Sequence, residues 1–235
     1  MTYQLIRSAQ PGSILERFAC AASHVWQAGY EQPFIQELRQ GILSQERFTW
    51  YMIQDRLYLD DYANVHALAF ASCTHSTIQQ DLAHALGDIA HELATVHDTY
   101  TQVFGISEQR ITHAVQSAAA RAYTTSMLET AYRGNTLEIL VALLPCAWVY
   151  ADYGARLAQE LGDAVHGHPY EQWISTYAAD DFWDASQWLR DDITLLAQQA
   201  TEVEIQRLEQ MFVQGVDLER VFWASAYEMQ AGWNF

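Results

Sequence analysis

Helix start and stop signals recur along the whole length of this sequence, and they constrain its fold more than any other feature. A hydroxyl residue followed three residues later by glutamate, as in Ser13/Glu16 and Thr201/Glu204, is typical of a helix N-terminus. Alternating strand patterns and Asn-Gly or Asp-Gly hairpin turns are missing. The sequence therefore predicts an all-α fold, a bundle of many packed helices.

The helix boundaries follow from caps, glycines and prolines. The segments that we predict to be helical are 13–29, 33–41, 44–72, 76–105, 112–134, 136–162, 168–177, 181–200 and 201–230, with Gly215 splitting the last. The chain contains neither a linker rich in proline, glycine or serine nor a repeat of fixed period. We therefore expect residues 1–235 to form a single domain.

The charge of the chain excludes several functions. Half of the 235 residues are hydrophobic and 17% are charged, which is typical of a globular protein. The formal net charge is −17, and all twelve basic residues are arginine. Without lysine the chain cannot form a Schiff base or a Walker-type phosphate loop. Its acidity also argues against nucleic acid as a partner, because phosphate binding needs a basic surface.

The cysteine count and the apolar segments suggest where the protein works. Three cysteines, an odd number, do not form a disulfide framework and suit a reducing compartment. The N-terminus has no secretory pattern, and no run of about 18 uninterrupted apolar residues is present. We expect a cytoplasmic protein that does not bind membranes.

Cys146 is the first candidate for chemistry. It follows Pro145 inside a long apolar run, where a proline removes a backbone donor and favours a bend, and Tyr150 lies one turn further on. The thiol either fills space in the core or is turned by the bend into a pocket as a nucleophile. For Cys20 and Cys73 we expect the first of these, a small buried side chain.

Two acidic residues are further candidates. Asp55 shares one helix face with Tyr58, Tyr62 and His66, a set that is unusual for a face packed into a core and is a candidate for function. The alternative is a partly buried helix whose tyrosines point their hydroxyl groups outward. Glu219 lies among apolar residues, where burial would let it donate a proton near neutral pH. The alternative is a surface glutamate paired with Arg220 or Arg207.

The sequence does not predict a metal site. Asp88, His91, Glu92 and His97 form a polar cluster, but Glu-x-x-His motifs on two helices, Cys-x-x-Cys and His-Glu-x-x-His are all missing. We expect neither a metal nor another cofactor.

Taken in order, a set of short segments resembles the TenA family, thiaminase II, in its cysteine-containing branch. The segments that carry the resemblance are Gln32-Pro33-Phe34, Gly41-Ile42-Leu43, Phe48 to Leu59, Ala122-Tyr123, Pro145 to Tyr150 with Gly154, Pro169 to Tyr177, and Phe212 to Trp223. The resemblance implies a haem-oxygenase-like all-α fold, a homotetramer and no cofactor.

The resemblance also implies an activity and the residues that perform it. The family hydrolyses the exocyclic C–N bond of thiamine, or of 4-amino-5-aminomethyl-2-methylpyrimidine, to give the hydroxymethylpyrimidine of thiamine salvage. Cys146 matches the nucleophile, Glu219 the acid and base, and Asp55 the residue that binds the ring nitrogen and amino group. The tyrosines at matching positions that line the site are Tyr58, Tyr123, Tyr150 and Tyr177.

Some positions depart from the family pattern. Gln32 stands where histidine is usual, and Arg56 stands where an aromatic residue is common. Tyr153 stands where an aliphatic residue is expected and would narrow the pocket. His66 has no assigned role. Two other functions stay open. One is a non-catalytic pyrimidine-binding or regulatory protein, and the other is a metal-dependent oxidase of haem-oxygenase-like fold.

Overall fold

The computed structural model describes residues 4–103 and 105–230, and for residues 92, 94–103 and 108 it describes the backbone alone. Across these ranges the chain is helical without an extended strand, which confirms the predicted all-α class. The helices are α1 (Ile14–Tyr30), α2 (Pro33–Arg39), α3 (Gln45–Ser72), α4 (Ser76–Val103), α5 (Glu108–Thr112), α6 (Ala118–Arg133), α7 (Thr136–Leu161), a 3₁₀-helix (Gly162–Val165), α8 (Glu171–Ala178), α9 (Asp180–Ala185), α10 (Gln187–Ala197) and α11 (Glu202–Glu228).

The chain divides into two compact units. The first comprises the residues up to 42 together with 140–221, and the second comprises 43–139 together with the residues from 222 on. The division falls inside α7 and α11, so each of these helices contributes to both units. That residues 1–235 form one domain stays a prediction.

Large aromatic side chains form the core of the first unit. Trp26 of α1 meets Trp148 of α7 with ring centroids 5.5 Å apart, and Phe212 of α11 lies 5.7 Å from Trp148. All three side chains are fully buried. Such pairs stabilise a fold by about 0.5–1.5 kcal/mol each beyond the area they remove from water. This cluster fixes α1, α7 and α11 against one another.

The core of the second unit is built on α3. Tyr51 stacks on Trp223 of α11 with a centroid separation of 5.1 Å, and both are fully buried. The buried Gln54 amide accepts a hydrogen bond from the Ser117 N–H (2.8 Å) and donates one to the Val115 carbonyl (3.1 Å). Gln54 thereby ties the start of α6 to α3.

The caps that the sequence predicts are present. The Ser13 hydroxyl accepts from the Glu16 N–H (3.1 Å) at the start of α1, and Ser44 does the same for Arg47 (3.3 Å) at the start of α3. Gly162 follows α7 with a φ of 52°, a left-handed conformation that favours glycine. Local capping chemistry thus decides these boundaries.

Two predicted helices differ in the structure. The helix expected over 112–134 begins only at Ala118, as α6, whereas Thr112 is the last residue of α5; the Ser117 hydroxyl group caps α6 by accepting from the Ala120 N–H, and Ser117 gives its own N–H to Gln54. The helix expected over 181–200 is α9 and α10. Here the Trp183 carbonyl accepts from the Arg190 guanidinium (3.0 Å), which also lies over the Trp183 ring.

A third prediction was wrong in the opposite sense, because Gly215 does not split the last helix. The helix α11 runs without interruption from Glu202 to Glu228. Gly215 serves a packing purpose, since a Cβ atom at this position would lie 2.5 Å from Cγ of Pro145.

The helix α7 is the most apolar of the chain. The segment Thr136–Val165 has a mean hydropathy of 1.3 over its best 18 residues, long and apolar enough by composition to cross a membrane, but 78% of that window is buried inside the protein. Burial of this kind is typical of a core helix. Pro145 is accommodated within it, and α7 continues to Leu161.

Candidate active site

Cys146 lies next to a contact between α7 and α11. Pro145 contacts Gly215, which has no side chain to hold the helices apart. Cys146 is the next residue on α7, and this residue is partly exposed. On α11, Glu219 lies one turn beyond Gly215 and therefore on the same face. The contact between the two helices brings the Cys146 and Glu219 turns to the same region of the first unit.

Glu219 is buried, with 2% of its surface exposed. Arg220 pairs instead with Asp217, whose carboxylate lies 2.6 Å from the guanidinium Nε. Arg207 precedes Glu219 by twelve residues on the same helix, about 18 Å along the axis. The alternative of a surface glutamate paired with either arginine is therefore wrong. A carboxyl group in such surroundings suits proton transfer.

An aromatic cluster surrounds the next turn of α7. Tyr150 is buried, and its ring centroid lies 4.8 Å from that of Tyr177 at an interplanar angle of 61°. Trp173 of α8 lies 4.7 Å from Tyr177 in a similar edge-on arrangement. Tyr177 is partly exposed, and Tyr150 follows Cys146 by four residues, on the same face of α7. Aromatic side chains of this kind suit a flat ligand.

The remaining predicted site residues lie in the second unit. Asp55 is 7% exposed on α3, and Tyr58 and Tyr123 are almost fully buried, with ring centroids 5.1 Å apart. The Tyr58 hydroxyl group lies 3.6 Å from the Met127 sulfur, and Tyr62 and His66 are buried as well. The alternative, in which the tyrosines of this face point their hydroxyl groups outward, is therefore wrong for Tyr58.

Two residues without an assigned role have defined surroundings. The Tyr153 hydroxyl group donates to the Trp26 carbonyl (2.7 Å), and burial, followed by the charges of Asp152 and Glu219, raises the pKa of Tyr153 well above its usual value. His66 is buried with Nδ1 2.9 Å from the Tyr62 carbonyl. Burial lowers the pKa of His66 to about 4, which the contact with Tyr62 only partly offsets, so its imidazole is neutral at pH 7.

The other cysteines differ from each other. Cys73 is buried at the end of α3, as expected, but Cys20 is exposed on α1, so the prediction of a buried thiol was wrong there. Cys20 lines an open groove with Arg17 and Ser13. The periodicity of α1 alone does not reveal which of its small residues the neighbouring helices cover.

The polar cluster on α4 lies partly outside the described side chains. Asp88 and His91 are exposed, whereas the side chains of Glu92 and His97 are among those not described. Within the described part of the chain, no three histidine, cysteine or acidic side chains converge as metal ligands.

Sequence reasoning missed the residues that hold the site residues in place. Gln54, directly before Asp55, orients the N-terminus of the helix that carries Tyr123. Arg7 reaches the end of the helix that carries Tyr177. The Gln-Asp pair was a local signal for the first, but Arg7 is separated from its contact by 171 residues and gave none.

Known proteins resemble this chain over almost its whole length. The family model of the TENA/THI-4/PQQC family matches residues 21–229. An aminopyrimidine aminohydrolase from Halalkalibacterium halodurans is 35% identical over 91% of this chain and 95% of its own length. A second aminopyrimidine aminohydrolase, from Bacillus subtilis, is 32% identical over 93% of this chain and 91% of its own. The relatives thus carry the name of the enzyme class that the sequence predicts.

Solved structures show the same fold. A TenA family transcription regulator from Silicibacter superposes with a TM-score of 0.84 at 26% identity, covering 92% of this chain and 97% of its own. A TenA homologue from Pyrococcus horikoshii gives a TM-score of 0.78 at 25% identity, over 92% and 99%. The family predicted from the short segments is confirmed: this chain belongs to the TENA/THI-4/PQQC family.

Proposed function

We propose that this protein is a thiamine-salvage hydrolase, an aminopyrimidine aminohydrolase of the thiaminase II type. It cleaves the exocyclic C–N bond of 4-amino-5-aminomethyl-2-methylpyrimidine or of thiamine. The contact of Pro145 with Gly215 supports this proposal, because the partly exposed Cys146 and the buried Glu219 lie on the turns next to this contact between two helices. Relatives at 32–35% identity carry the corresponding name.

In the proposed reaction, Cys146 and Glu219 act in turn. The Cys146 thiolate adds to the pyrimidine ring and disrupts its aromaticity, which allows the exocyclic C–N bond to break. With the aminomethylpyrimidine, Glu219 gives its proton to the departing amine nitrogen, so that ammonia leaves. The thiazolium nitrogen of thiamine takes the bonding electron pair and leaves as the neutral thiazole without a proton, so with this substrate Glu219 starts as the carboxylate and serves only as the base. Glu219 then accepts a proton from the water that adds to the exocyclic carbon, and departure of the thiolate restores the aromatic ring.

The other site residues bind and orient the substrate. One oxygen of the Asp55 carboxyl group accepts the hydrogen bond of the ring amino group, and a proton on its other oxygen stabilises the electron pair that thiolate addition moves onto the adjacent ring nitrogen. Tyr150 and Tyr177 offer aromatic faces to the ring, and Tyr58 and Tyr123 are assigned the same task. No step of this mechanism requires a metal or an organic cofactor.

The test measures hydroxymethylpyrimidine release by chromatography from both substrates. Cys146→Ser should lower kcat by about 10³-fold or more, because a hydroxyl group is a far weaker nucleophile than a thiolate at neutral pH. Glu219→Gln should lower kcat by about 10²–10⁴-fold through the lost proton transfer. Cys20→Ser is the matched control, since it removes an exposed thiol on α1 and should leave activity unchanged.

Full activity of Cys146→Ser would exclude Cys146 as the nucleophile. A wild-type protein that releases product from neither substrate would overturn the hydrolase proposal itself. Comparing the two substrates by kcat/KM then identifies the preferred one, because this ratio measures differential binding of the transition state.

A regulator that contacts DNA is the weaker alternative. The similar Silicibacter protein is described as a transcription regulator. However, a chain of net charge −17 repels the phosphate backbone of DNA, and neutralising the phosphate charges needs a basic surface.

The other alternative, a metal-dependent oxidase, would bind iron, which elemental analysis of the purified protein detects.

We further propose that the protein is a cytoplasmic homotetramer of single-domain subunits. Light scattering measures the mass of this assembly directly.

A further inference from the structure

The segment that precedes α1 is held on α7 although it forms no helix. One carboxylate oxygen of Asp152 accepts hydrogen bonds from the backbone N–H groups of Ile6 (2.7 Å) and Arg7 (3.0 Å). The indole N–H of Trp148 donates to the Arg7 carbonyl (2.7 Å). Trp148 and Asp152 are one turn apart on α7, so they hold the Arg7 peptide groups from both sides.

Asp152 is built into the core for this task. Its side chain is fully buried, and its second oxygen accepts from the Trp26 indole N–H (3.0 Å). A buried carboxylate is strongly unfavourable unless hydrogen bonds compensate for the lost water. The backbone N–H groups of residues 6 and 7 are among its donors. This segment therefore helps to stabilise the charge of Asp152.

The Arg7 side chain extends from this anchor to the end of α8. Its guanidinium donates to the Ala178 carbonyl (2.7 Å) and pairs with the Asp180 carboxylate (2.8 Å). Ala178 is the last residue of α8, where carbonyl groups lack partners within the helix, and a cation there also meets the negative end of the helix dipole. The Arg7 side chain is only 17% exposed, so its contact with Ala178 is partly shielded from water, whereas Asp180 is 83% exposed.

Tyr177 lies directly before this capped end. On its inner side, Gly154 of α7 allows close contact: a Cβ atom there would lie 2.5 Å from the Tyr177 carbonyl carbon. The end of α8 is thus held from inside by Gly154 and from outside by Arg7. Between these two contacts, the Tyr177 ring packs 4.8 Å from Tyr150.

We infer that Arg7 is a positioning residue for substrate binding, because it joins the anchored segment at residues 6 and 7 to the end of α8 and so sets the Tyr177 ring. This inference rests on the proposed function, in which Tyr177 binds the pyrimidine ring. Arg7 does not touch the substrate. It acts through the backbone of Ala178, whose position decides where the preceding aromatic side chain lies.

The test compares Arg7→Met with Arg7→Lys. Arg7→Met keeps much of the aliphatic stem but loses both contacts, and KM should rise about five- to tenfold while kcat changes less than twofold, the pattern of lost ground-state binding. Arg7→Lys keeps the charge without the two-pronged geometry and should restore part of the affinity. Arg133→Met is the matched control, since it removes an exposed ion pair within α6 and should leave KM unchanged.

Hydrogen exchange of the peptide 171–182 gives a readout that does not depend on activity. Exchange should be faster in Arg7→Met than in the wild type, and Asp180→Asn, which retains the Ala178 contact, should have a smaller effect. Unchanged exchange in Arg7→Met overturns the inference. So does an unchanged KM with a reduced melting temperature, which would mark a purely structural role. Absence of hydrolysis in the wild type would refute the proposed function, while exchange would still decide whether Arg7 holds α8.

Discussion

The Tyr153 hydroxyl group lies where any side chain on Gly29 would have to be. A Cβ atom at Gly29 would lie 2.3 Å from this oxygen, but 3.5 Å from the next atom of the ring. The same oxygen donates to the Trp26 carbonyl (2.7 Å). Tyr153 is therefore a contact between α7 and α1 that depends on glycine. Tyr153 is buried in the first unit, and an aliphatic residue at this position would lack the hydroxyl group that fills the space beside Gly29.

A double-mutant cycle tests this pair. Gly29→Ala should destabilise the wild type by about 1–3 kcal/mol, because the new methyl group collides with the hydroxyl group. Tyr153→Phe alone should cost about 1 kcal/mol for the lost hydrogen bond. In the Tyr153→Phe background, Gly29→Ala should be neutral or stabilise by up to about 1 kcal/mol, since alanine favours a helix. Urea unfolding measures all four proteins, and additive effects would contradict the contact.

His66 should make stability depend on pH. Its pKa in the folded protein is about 4, below the ordinary value of 6.5, because the side chain is buried. Between pH 6.5 and 4, His66 is therefore protonated in the unfolded chain but stays neutral in the folded chain. The contribution of His66 to stability is fully present above pH 6.5 and is lost as the pH falls toward 4. The loss attributable to His66 approaches about 3 kcal/mol.

Urea unfolding between pH 7.5 and 4.5 measures this loss. His66→Gln should flatten the dependence on pH relative to the wild type, whereas His113→Gln, at an exposed position, should not. Equal slopes for wild type and His66→Gln would show that other groups cause the acid sensitivity.

At the scale of elements, the contact between α7 and α11 depends on Gly215. Gly215→Ala should destabilise the protein by about 1–3 kcal/mol, because the new methyl group collides with the rigid ring of Pro145, which cannot rotate away. It should also lower kcat, since the displaced turns carry Cys146 and Glu219. Gly87→Ala on α4 is the control: a Cβ atom there meets nothing within 4 Å, and alanine should stabilise the helix by about 0.5–1 kcal/mol. Similar effects of both substitutions on stability would contradict the proposed contact.

The same elements show what the sequence can and cannot predict. Ser13 and Ser44 cap helices through neighbours three residues away, so their boundaries are visible locally. Ser117 also caps a helix through a neighbour three residues away, but its own N–H goes to Gln54, 63 residues earlier, and a local pattern does not contain that partner. The prediction that Gly215 splits its helix was wrong for the same reason, since this glycine makes room for Pro145 of α7 and does not interrupt α11.

The candidate site follows the same division. The burial of Glu219 agrees with the apolar residues beside it in the sequence, and that of Asp55 with the tyrosines that share its helix face. The start of α6, the helix that carries Tyr123, is held by a hydrogen bond to Gln54. The end of α8, next to Tyr177, is held by a hydrogen bond from Arg7. Both contacts join residues that are far apart in the sequence. Sequence patterns therefore nominate the reacting groups, while the residues that orient them require the folded structure.

At the scale of the whole molecule, 29 acidic residues face only twelve basic ones. Repulsion among the acidic groups disfavours the folded state, whereas the ion pairs favour it. Most of these pairs are weak because water reaches them: Arg133 and Glu129 are 78% and 59% exposed, and Asp180 is 83% exposed. Pairs of this kind contribute only about 0–1 kcal/mol each, so we expect net repulsion to dominate.

Salt should therefore stabilise this protein at neutral pH. Raising NaCl from 10 to about 300 mM shortens the screening length to well under 10 Å and weakens the many long-range repulsions more than the few short contacts. The melting temperature should rise by several degrees, and KCl should give the same rise because screening depends on ionic strength alone. Near the sequence pI of about 4.7 the net charge vanishes, and the response to salt should vanish with it. A melting temperature that falls with salt at pH 7 would mean that the ion pairs outweigh the repulsion.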